Sequence, residues 1–288
     1  MDIPPTECSI PRDILSLLRA QLGDQFEIDR EIGRGGAARV FAARDATGRQ
    51  VALKILHPEL LTSTTAERFL REIRLAKQLD HVNIAKLLDT GERDWLVYYV
   101  MEYIEGSSLR QVLDRVRQLT IDDARRLAAD ILAGLDHAHK HGIIHRDVKP
   151  ENVMVTSERA VLVDFGIARA VELTTSEHLT RSGMTVGTSH YMSPEQITGS
   201  RQLDARTDLY AVGCVLFECV AGHPPFVSRQ QALVMQQHLQ APPPDLGAAR
   251  SGVPPEMVLA VTRSLAKKPE DRWRTADEMR RVLLGEAV

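Results

Sequence analysis

The chain has 288 residues, with 36 Lys and Arg against 39 Asp and Glu, a formal net charge of -3 and 26% charged residues. That length accommodates one two-lobed domain or two small ones. The near balance of charge argues against a nucleic-acid partner, since arginine-rich pieces such as Arg110 to Arg117 are diluted by Asp114 and apolar residues.

Three cysteines, Cys8, Cys214 and Cys219, form no CxxC pair and no disulfide framework, which suits a reducing compartment. The apolar run Leu209 to Val220 holds two of them, is broken by Glu218, and is too short to span a bilayer, so it reads as a buried helix. The N-terminus lacks the basic flank and apolar block of a signal peptide. The expected location is the cytoplasm, with no membrane span in the chain.

Residues 1–25 form an extension in which Ile14, Leu15, Leu18 and Leu22 fall at helical spacing, the mark of a packing helix. Short β-rich runs follow at Phe26 to Ile32, Arg39 to Ala43 and Val51 to Leu56, the last two joined by a turn at Thr47-Gly48. They predict an antiparallel meander. Thr62 to Leu79 carries Ala66, Phe69, Leu70, Ile73 and Ala76 on one helix face, started by a Thr64/Glu67 capping box. Two further strands, near Ile84 to Asp89 and Trp95 to Met101, complete a five-stranded sheet.

Beyond Gly106 the periodicity predicts helices at Leu109 to Val116, Asp122 to His141, Ala205 to Val220, Arg229 to Leu239, Pro255 to Leu265 and Thr275 to Leu284. Pro242 to Pro244 reads as a stiff loop. A strand-rich piece followed by a helix-rich one implies an α+β architecture of two lobes, with their crevice as the ligand site.

The segment Ile32-Gly33-Arg34-Gly35-Gly36-Ala37-Ala38-Arg39-Val40 lies between the first two strands, where glycine lets backbone N–H groups approach phosphate oxygens. Alone this is as readily a structural turn. Lys54, in Val51-Ala52-Leu53-Lys54, stands on a buried strand among apolar neighbours and requires anionic partners. Glu72 shares a helix face with Phe69 and Ala76 and is the candidate counter-ion; Glu67 lies off that face. Farther on comes His145-Arg146-Asp147-Val148-Lys149-Pro150-Glu151-Asn152, and after a short apolar segment Asp164-Phe165-Gly166. Two carboxylates, a lysine and a carboxamide so placed can hold divalent metal against a polyphosphate and steer a hydroxyl toward it.

On these motifs the chain resembles a protein kinase, and most nearly the bacterial serine/threonine kinases that share the eukaryotic fold, over roughly residues 26 to 285. The resemblance implies an N-lobe at 26–101, a hinge at 102–106 and a C-lobe at 107–285. It implies that Lys54, paired with Glu72, contacts the α/β-phosphates of ATP, and that Asp147 orients the substrate hydroxyl and accepts its proton. Lys149 would neutralise the moving phosphate, and Asn152 and Asp164 would hold Mg2+, or Mn2+ in its place.

Ile32, Val40 and Ala52 would sandwich the adenine, backbone groups of Glu102 and Ile104 would bond its edge, and Met101 would guard the back of the pocket. The glycine loop departs from the family pattern in carrying Ala38 where a third glycine is usual. Lys149 and the segment Gly187-Thr188-Ser189-His190-Tyr191-Met192-Ser193-Pro194-Glu195 agree with serine/threonine specificity, with Thr188 set to bond Asp147 and Lys149. Ser193 replaces the common Ala and reads as neutral.

His145 is expected to pack on Phe165, Glu195 to pair with Arg272, and Asp208 to cap the backbone near Arg146. The segment between Asp164 and Glu195 offers Thr180 and Ser182 as autophosphorylation sites that would dock on Arg146. Protein substrates are implied, and pairing of two copies through the N-lobe is left open. The resemblance equally leaves open a soluble kinase or the catalytic part of a longer membrane-anchored protein. The alternative reading is a pseudokinase that binds nucleotide or partners without transfer; such proteins usually lack one of the residues that Lys54, Asp147, Asn152 and Asp164 supply here.

Overall fold

In a computed structural model the described residues are 14–35, 38–56, 76–93, 96–165, 188–200 and 202–286. The chain divides into two compact units. One comprises Met1–Gln78, Lys86–Tyr103 and Ile167–Met184, and the other Leu79–Ala85, Ile104–Gly166 and Thr185–Val288.

The first unit is built on a five-stranded antiparallel sheet, β1 (Phe26–Arg34), β2 (Ala38–Asp45), β3 (Gln50–Leu56), β4 (Leu87–Arg93) and β5 (Leu96–Glu102), in the order β1-β2-β3-β5-β4. Helix α1 (Ile14–Leu22) buries Ile14, Leu18 and Leu22, four residues apart, against one face of that sheet. Each such aliphatic side chain contributes about 1.5–3 kcal/mol by burial. Arg19 Nε and Nη2 donate to the carbonyls of Ile28 and Asp29, both at 3.0 Å, and fasten the helix to β1. The helix stops at Gly23, where a Cβ would sit 2.2 Å from the Arg19 carbonyl oxygen.

The strand expected to open at Ile84 begins at Leu87 instead. Its first residues belong to the other unit, where Ile84 bridges Leu162 in parallel and Ala85 N–H donates to Leu162 O at 2.9 Å. The helix expected over Thr62 to Leu79 falls outside the described residues except for its end at Ala76.

The second unit is mainly helical: α2 (Leu109–Val116), α3 (Ile121–Lys140), α4 (Pro194–Ile197), α5 (Arg206–Ala221), α6 (Gln231–Gln240), α7 (Leu246–Ala249), α8 (Pro255–Ser264) and α9 (Ala276–Leu283). A small sheet is formed by β6 (Ser107–Ser108), β7 (Val153–Val155) and β8 (Ala160–Leu162), in that order. Helix α5 is buried on every side, Cys214 and Cys219 included, which is why its sequence is a continuous apolar run rather than an amphipathic one. Gly213 allows α8 to approach; a Cβ there would meet Ser264 Cβ at 2.7 Å.

Candidate active site

In the first unit Val40, Ala52, Lys54 and Met101 occupy the sheet face opposite α1. Val51, Leu53 and Ile55 of β3 join the core under α1, so the pleat sends Ala52 and Lys54 the other way. The register sets Val40 and Tyr99 on either side of Lys54, and Met101 beside Ala52. Lys54 Nζ lies 5.7 Å from the centre of the Tyr99 ring.

The glycine turn closes through Gly35 N–H to Ala38 O at 2.9 Å; Gly36 and Ala37 at its tip lie outside the described residues. A Cβ on Gly33 would meet Val40 at 3.5 Å, and one on Gly35 would meet the Ala38 carbonyl at 3.7 Å, both ordinary contacts. The fold itself therefore tolerates a side chain at these two positions, and what glycine provides is bare backbone toward an approaching group.

At the root of this turn Glu31 accepts from Arg34 Nε at 2.9 Å and from Arg39 Nε at 3.0 Å, with Arg39 Nη2 closer still. The guanidiniums of Arg34 and Arg39 hold its carboxyl at about 2. Arg34, expected at the nucleotide, is thus turned to Glu31, and Ile32 is 39% exposed. At the end of β5, Glu102 N–H donates to Lys86 O at 2.8 Å, so a role for Glu102 at a base edge falls to its carbonyl oxygen. Ile104 is half-buried in the second unit. Glu72, Thr180 and Ser182 lie outside the described residues, and Thr188 is described only as the first residue of a 3-10 turn, Thr188–Tyr191.

In the second unit the loop before β7 gathers its residues tightly. Asp147 Oδ2 accepts from Lys149 Nζ at 2.7 Å and from Asn152 Nδ2 at 2.9 Å, and Asn152 Nδ2 also donates to Asp147 O at 2.8 Å. The Asn152 carbonyl accepts Val163 N–H at 3.0 Å, which sets Asp164 beside it at the end of β8. Asp164 takes a left-handed φ of 59° and Arg146 one of 64°, conformations that non-glycine residues adopt only when surrounding bonds impose them.

Those bonds are identifiable around Arg146. Asp208, in the first turn of α5 and fully buried, accepts Arg146 N–H at 2.7 Å and His145 N–H at 2.8 Å, and takes a further bond from His139 Nε2 at 2.8 Å. Burial works to raise the Asp208 carboxyl, but the His139 bond and neighbouring charge outweigh it and hold it below the ordinary value.

His145 packs its ring 4.6 Å from that of Phe165, as expected, and bonds on both nitrogens. Nδ1 faces Asp147 N–H at 3.3 Å and Nε2 faces Val163 O at 3.1 Å. These partners assign the neutral Nε2–H tautomer, and burial pushes its pKa down.

Glu195 and Arg272 form the expected ion pair, at 2.7 and 2.8 Å, with the guanidinium fully enclosed. Ser193, read as neutral, is the N-cap of α4. Its Oγ faces Gln196 N–H, its own N–H donates to Gln196 Oε1 at 3.0 Å, and Gln196 Nε2 donates to Arg146 O at 2.7 Å. This Ser-x-x-Gln capping box was legible in the sequence and ties the segment to the loop of Asp147.

The donor set fits a hard divalent cation. Asn152 Nδ2 is committed to Asp147, leaving the Asn152 carboxamide oxygen, with the Asp164 carboxylate, as oxygen ligands. Among the described residues no group of three or more His, Cys, Asp or Glu is placed to enclose a metal, so a cation here would complete its shell with water and phosphate oxygens.

The sequence profile described as "Protein kinase domain" matches residues 26–282. The chain is 41% identical over 268 residues to a probable serine/threonine-protein kinase, SCO3848, of Streptomyces coelicolor, covering 90% of this chain and 39% of that protein. It is 40% identical over 270 residues to the serine/threonine-protein kinase PknB of Mycolicibacterium smegmatis (91% and 43%). It is 42% identical over 269 residues to the probable PknB of Corynebacterium glutamicum (90% and 41%). The chain spans about two-fifths of the length of these relatives.

Proposed function

Because this chain belongs to the protein kinase family, we propose that it transfers the γ-phosphoryl group of ATP to serine and threonine hydroxyls of proteins, its own included. The observation that carries this reading is the Asp147 carboxylate, held at once by Lys149 and Asn152, with Asn152 bonded through its backbone to the residue before Asp164. Members of this family use ATP and a divalent metal; the oxygen set of Asn152 and Asp164 favours Mg2+, which when bound offsets charge on the phosphates.

In this reading Asp147 Oδ2 orients the acceptor hydroxyl and takes its proton, while Lys149 neutralises the transferring group. Lys54 binds the α/β-phosphates and pairs with Glu72, and bare backbone at Gly33 and Gly35 covers them. Ala52, Val40 and Met101 enclose the adenine, and the Glu102 carbonyl with the Ile104 backbone bonds its edge. Thr188 bonds Asp147 and Lys149, and phosphorylated Thr180 and Ser182 order their segment on Arg146. Pairing of copies through the first unit, if it forms, uses a surface other than the sheet face that α1 covers. No helix among the described residues is long and apolar enough to cross a membrane.

Incubation with labelled ATP and magnesium tests the assignment. Asp147→Asn is expected to lower turnover by about a hundredfold or more with nucleotide binding little changed. Equal labelling by both proteins sinks the role of Asp147, and nucleotide binding without any transfer by the wild type identifies a pseudokinase.

A further inference from the structure

Three imidazoles that the proposed transfer does not use meet where the segment Leu79–Ala85 packs on the end of α3. The ring centres of His81 and His137 are 5.2 Å apart, and those of His137 and His141 4.5 Å. His141 Nδ1 donates to His137 O at 2.8 Å, while His137 Nε2 is enclosed and meets no partner among the described residues. Gly134 of α3 lets the segment come close, since a Cβ there would meet Asn83 O at 2.9 Å.

The ring of His81 serves as an acceptor. Its Nδ1 takes the Asn83 N–H at 3.1 Å and so turns the segment two residues on. Asn83 in turn holds β8: its Nδ2 donates to Ala160 O at 2.8 Å, and its carbonyl accepts Leu162 N–H at 2.8 Å. Ala85 N–H adds a bond to Leu162 O at 2.9 Å. From Leu162 the chain runs directly into Val163, which is bonded to Asn152 O and to the His145 ring, and then into Asp164. A run of bonds thus leads from the His81 ring to the chain that sets Asp164.

A proton on His81 Nδ1 would turn this acceptor into a donor facing another donor. One added to His137 Nε2 would put a charged N–H where nothing among the described residues accepts it. We propose that the stack of His81, His137 and His141 is an acid-operated latch, which holds the segment on β8 while its rings are neutral and releases it, with loss of phosphoryl transfer, when they are protonated. The consequence for transfer rests on the protein kinase reading; the latch itself does not.

Burial, and after it the charge of the neighbouring imidazole, holds His81 and His137 below the ordinary 6.5. Asp136 and Asp130 near His81, and Asp80 and Asp136 near His137, act the other way, while Lys140 adds to the lowering at His137. Two of these carboxylates are already engaged, Asp136 by Lys140 Nζ at 2.6 Å and Asp130 by Ala160 N–H at 2.8 Å. The folded chain therefore holds fewer protons at the two rings than the unfolded chain does. Their contribution to stability is present above 6.5 and declines as pH falls below it.

The test follows amide hydrogen exchange of the full chain at roughly pH 7.5 and 5.5, corrected for intrinsic exchange, with α5 amides as the reference for global opening. For the wild type, protection at Asn83, Ala85 and Leu162 is expected to fall about tenfold more than at α5. His81→Asn keeps an uncharged acceptor for the N–H two residues on, and is expected to lose less than about threefold. Turnover with Mg-ATP and a peptide is expected to fall about fivefold more for the wild type than for His81→Asn over the same range, a pH dependence that a merely structural role would not give. Equal acid losses of protection in the two proteins overturn the latch, as does wild-type protection that tracks α5 throughout. Equal losses of turnover overturn its link to transfer.

Should His81→Asn fail to fold, His137→Phe keeps a ring in the stack that takes no proton. It is expected to show a smaller acid response than the wild type, and an undiminished one is equally decisive against the proposal. Failure of the wild type to label itself or any peptide at either pH overturns the kinase reading, and the hydrogen-exchange comparison still decides the latch.

Discussion

Asp208 Oδ1 accepts the backbone N–H of Arg146 at 2.7 Å, and Arg146 holds a left-handed φ of 64° immediately before Asp147. The carboxylate of α5 therefore sets the entry angle of the loop that carries Asp147. Asp208→Asn keeps the shape but offers one acceptor oxygen to three donors, from His139, His145 and Arg146. It is expected to cost about 3 kcal/mol of stability and to lower kcat more than it raises KM for ATP. Thermal melts and steady-state kinetics check this; a variant with wild-type melting and turnover removes Asp208 from the positioning role.

The Glu195–Arg272 pair predicts a strong coupling. Arg272 also donates to the carbonyls of Ala266, Lys267 and Arg206, so its fork is used in full. Arg272→Ala is expected to destabilise the protein by about 3–5 kcal/mol, and Glu195→Ala/Arg272→Ala by less than the sum of the single changes. Denaturant unfolding of the four proteins measures the coupling, and strict additivity would contradict it.

Glu31 predicts an acid-sensitive first unit. Its carboxyl sits at about 2 in the folded chain against an ordinary 4.5, so the folded chain holds fewer protons there than the unfolded chain does. The stabilisation is fully present above the ordinary value and is lost as pH falls toward about 2. The melting-temperature advantage of wild type over Glu31→Gln should therefore be constant from pH 7 to roughly 5 and shrink below that. An advantage that is unchanged at roughly pH 3 contradicts the clamp of Arg34 and Arg39.

The family profile begins at residue 26, yet the core of the first unit includes Ile14, Leu18 and Leu22. A truncation that starts at the profile boundary should thus melt at a lower temperature than the full chain and bind more apolar dye. Leu18→Ala alone should cost about 2–5 kcal/mol. Unaltered melting of the truncated chain would show that α1 is dispensable.

Most helices were legible through a buried stripe at regular spacing, α5 through its continuous apolar run, and the Asp147 and Asp164 motifs because their residues lie within a few positions of one another. The α4 and α7 turns are four residues long and leave no periodicity to read. Strand β4 starts late because Ile84 is claimed by Leu162, 78 positions away in sequence, through a bridge that local propensity cannot register. Arg110 was hidden for the same reason. It finds Glu151, Tyr191 and Glu218 at separations of 41, 81 and 108 residues, and only the folded chain brings them together.

The imidazole of His145, bonded to Asp147 N–H on one side and Val163 O on the other, acts as a rivet through two segments of chain. Neither the loop of Asp147 nor the strand end before Asp164 can slide without dragging the other. A change that breaks either bond therefore loosens both segments together, and Phe165, its ring centre 4.6 Å from that of His145, supports the two at once.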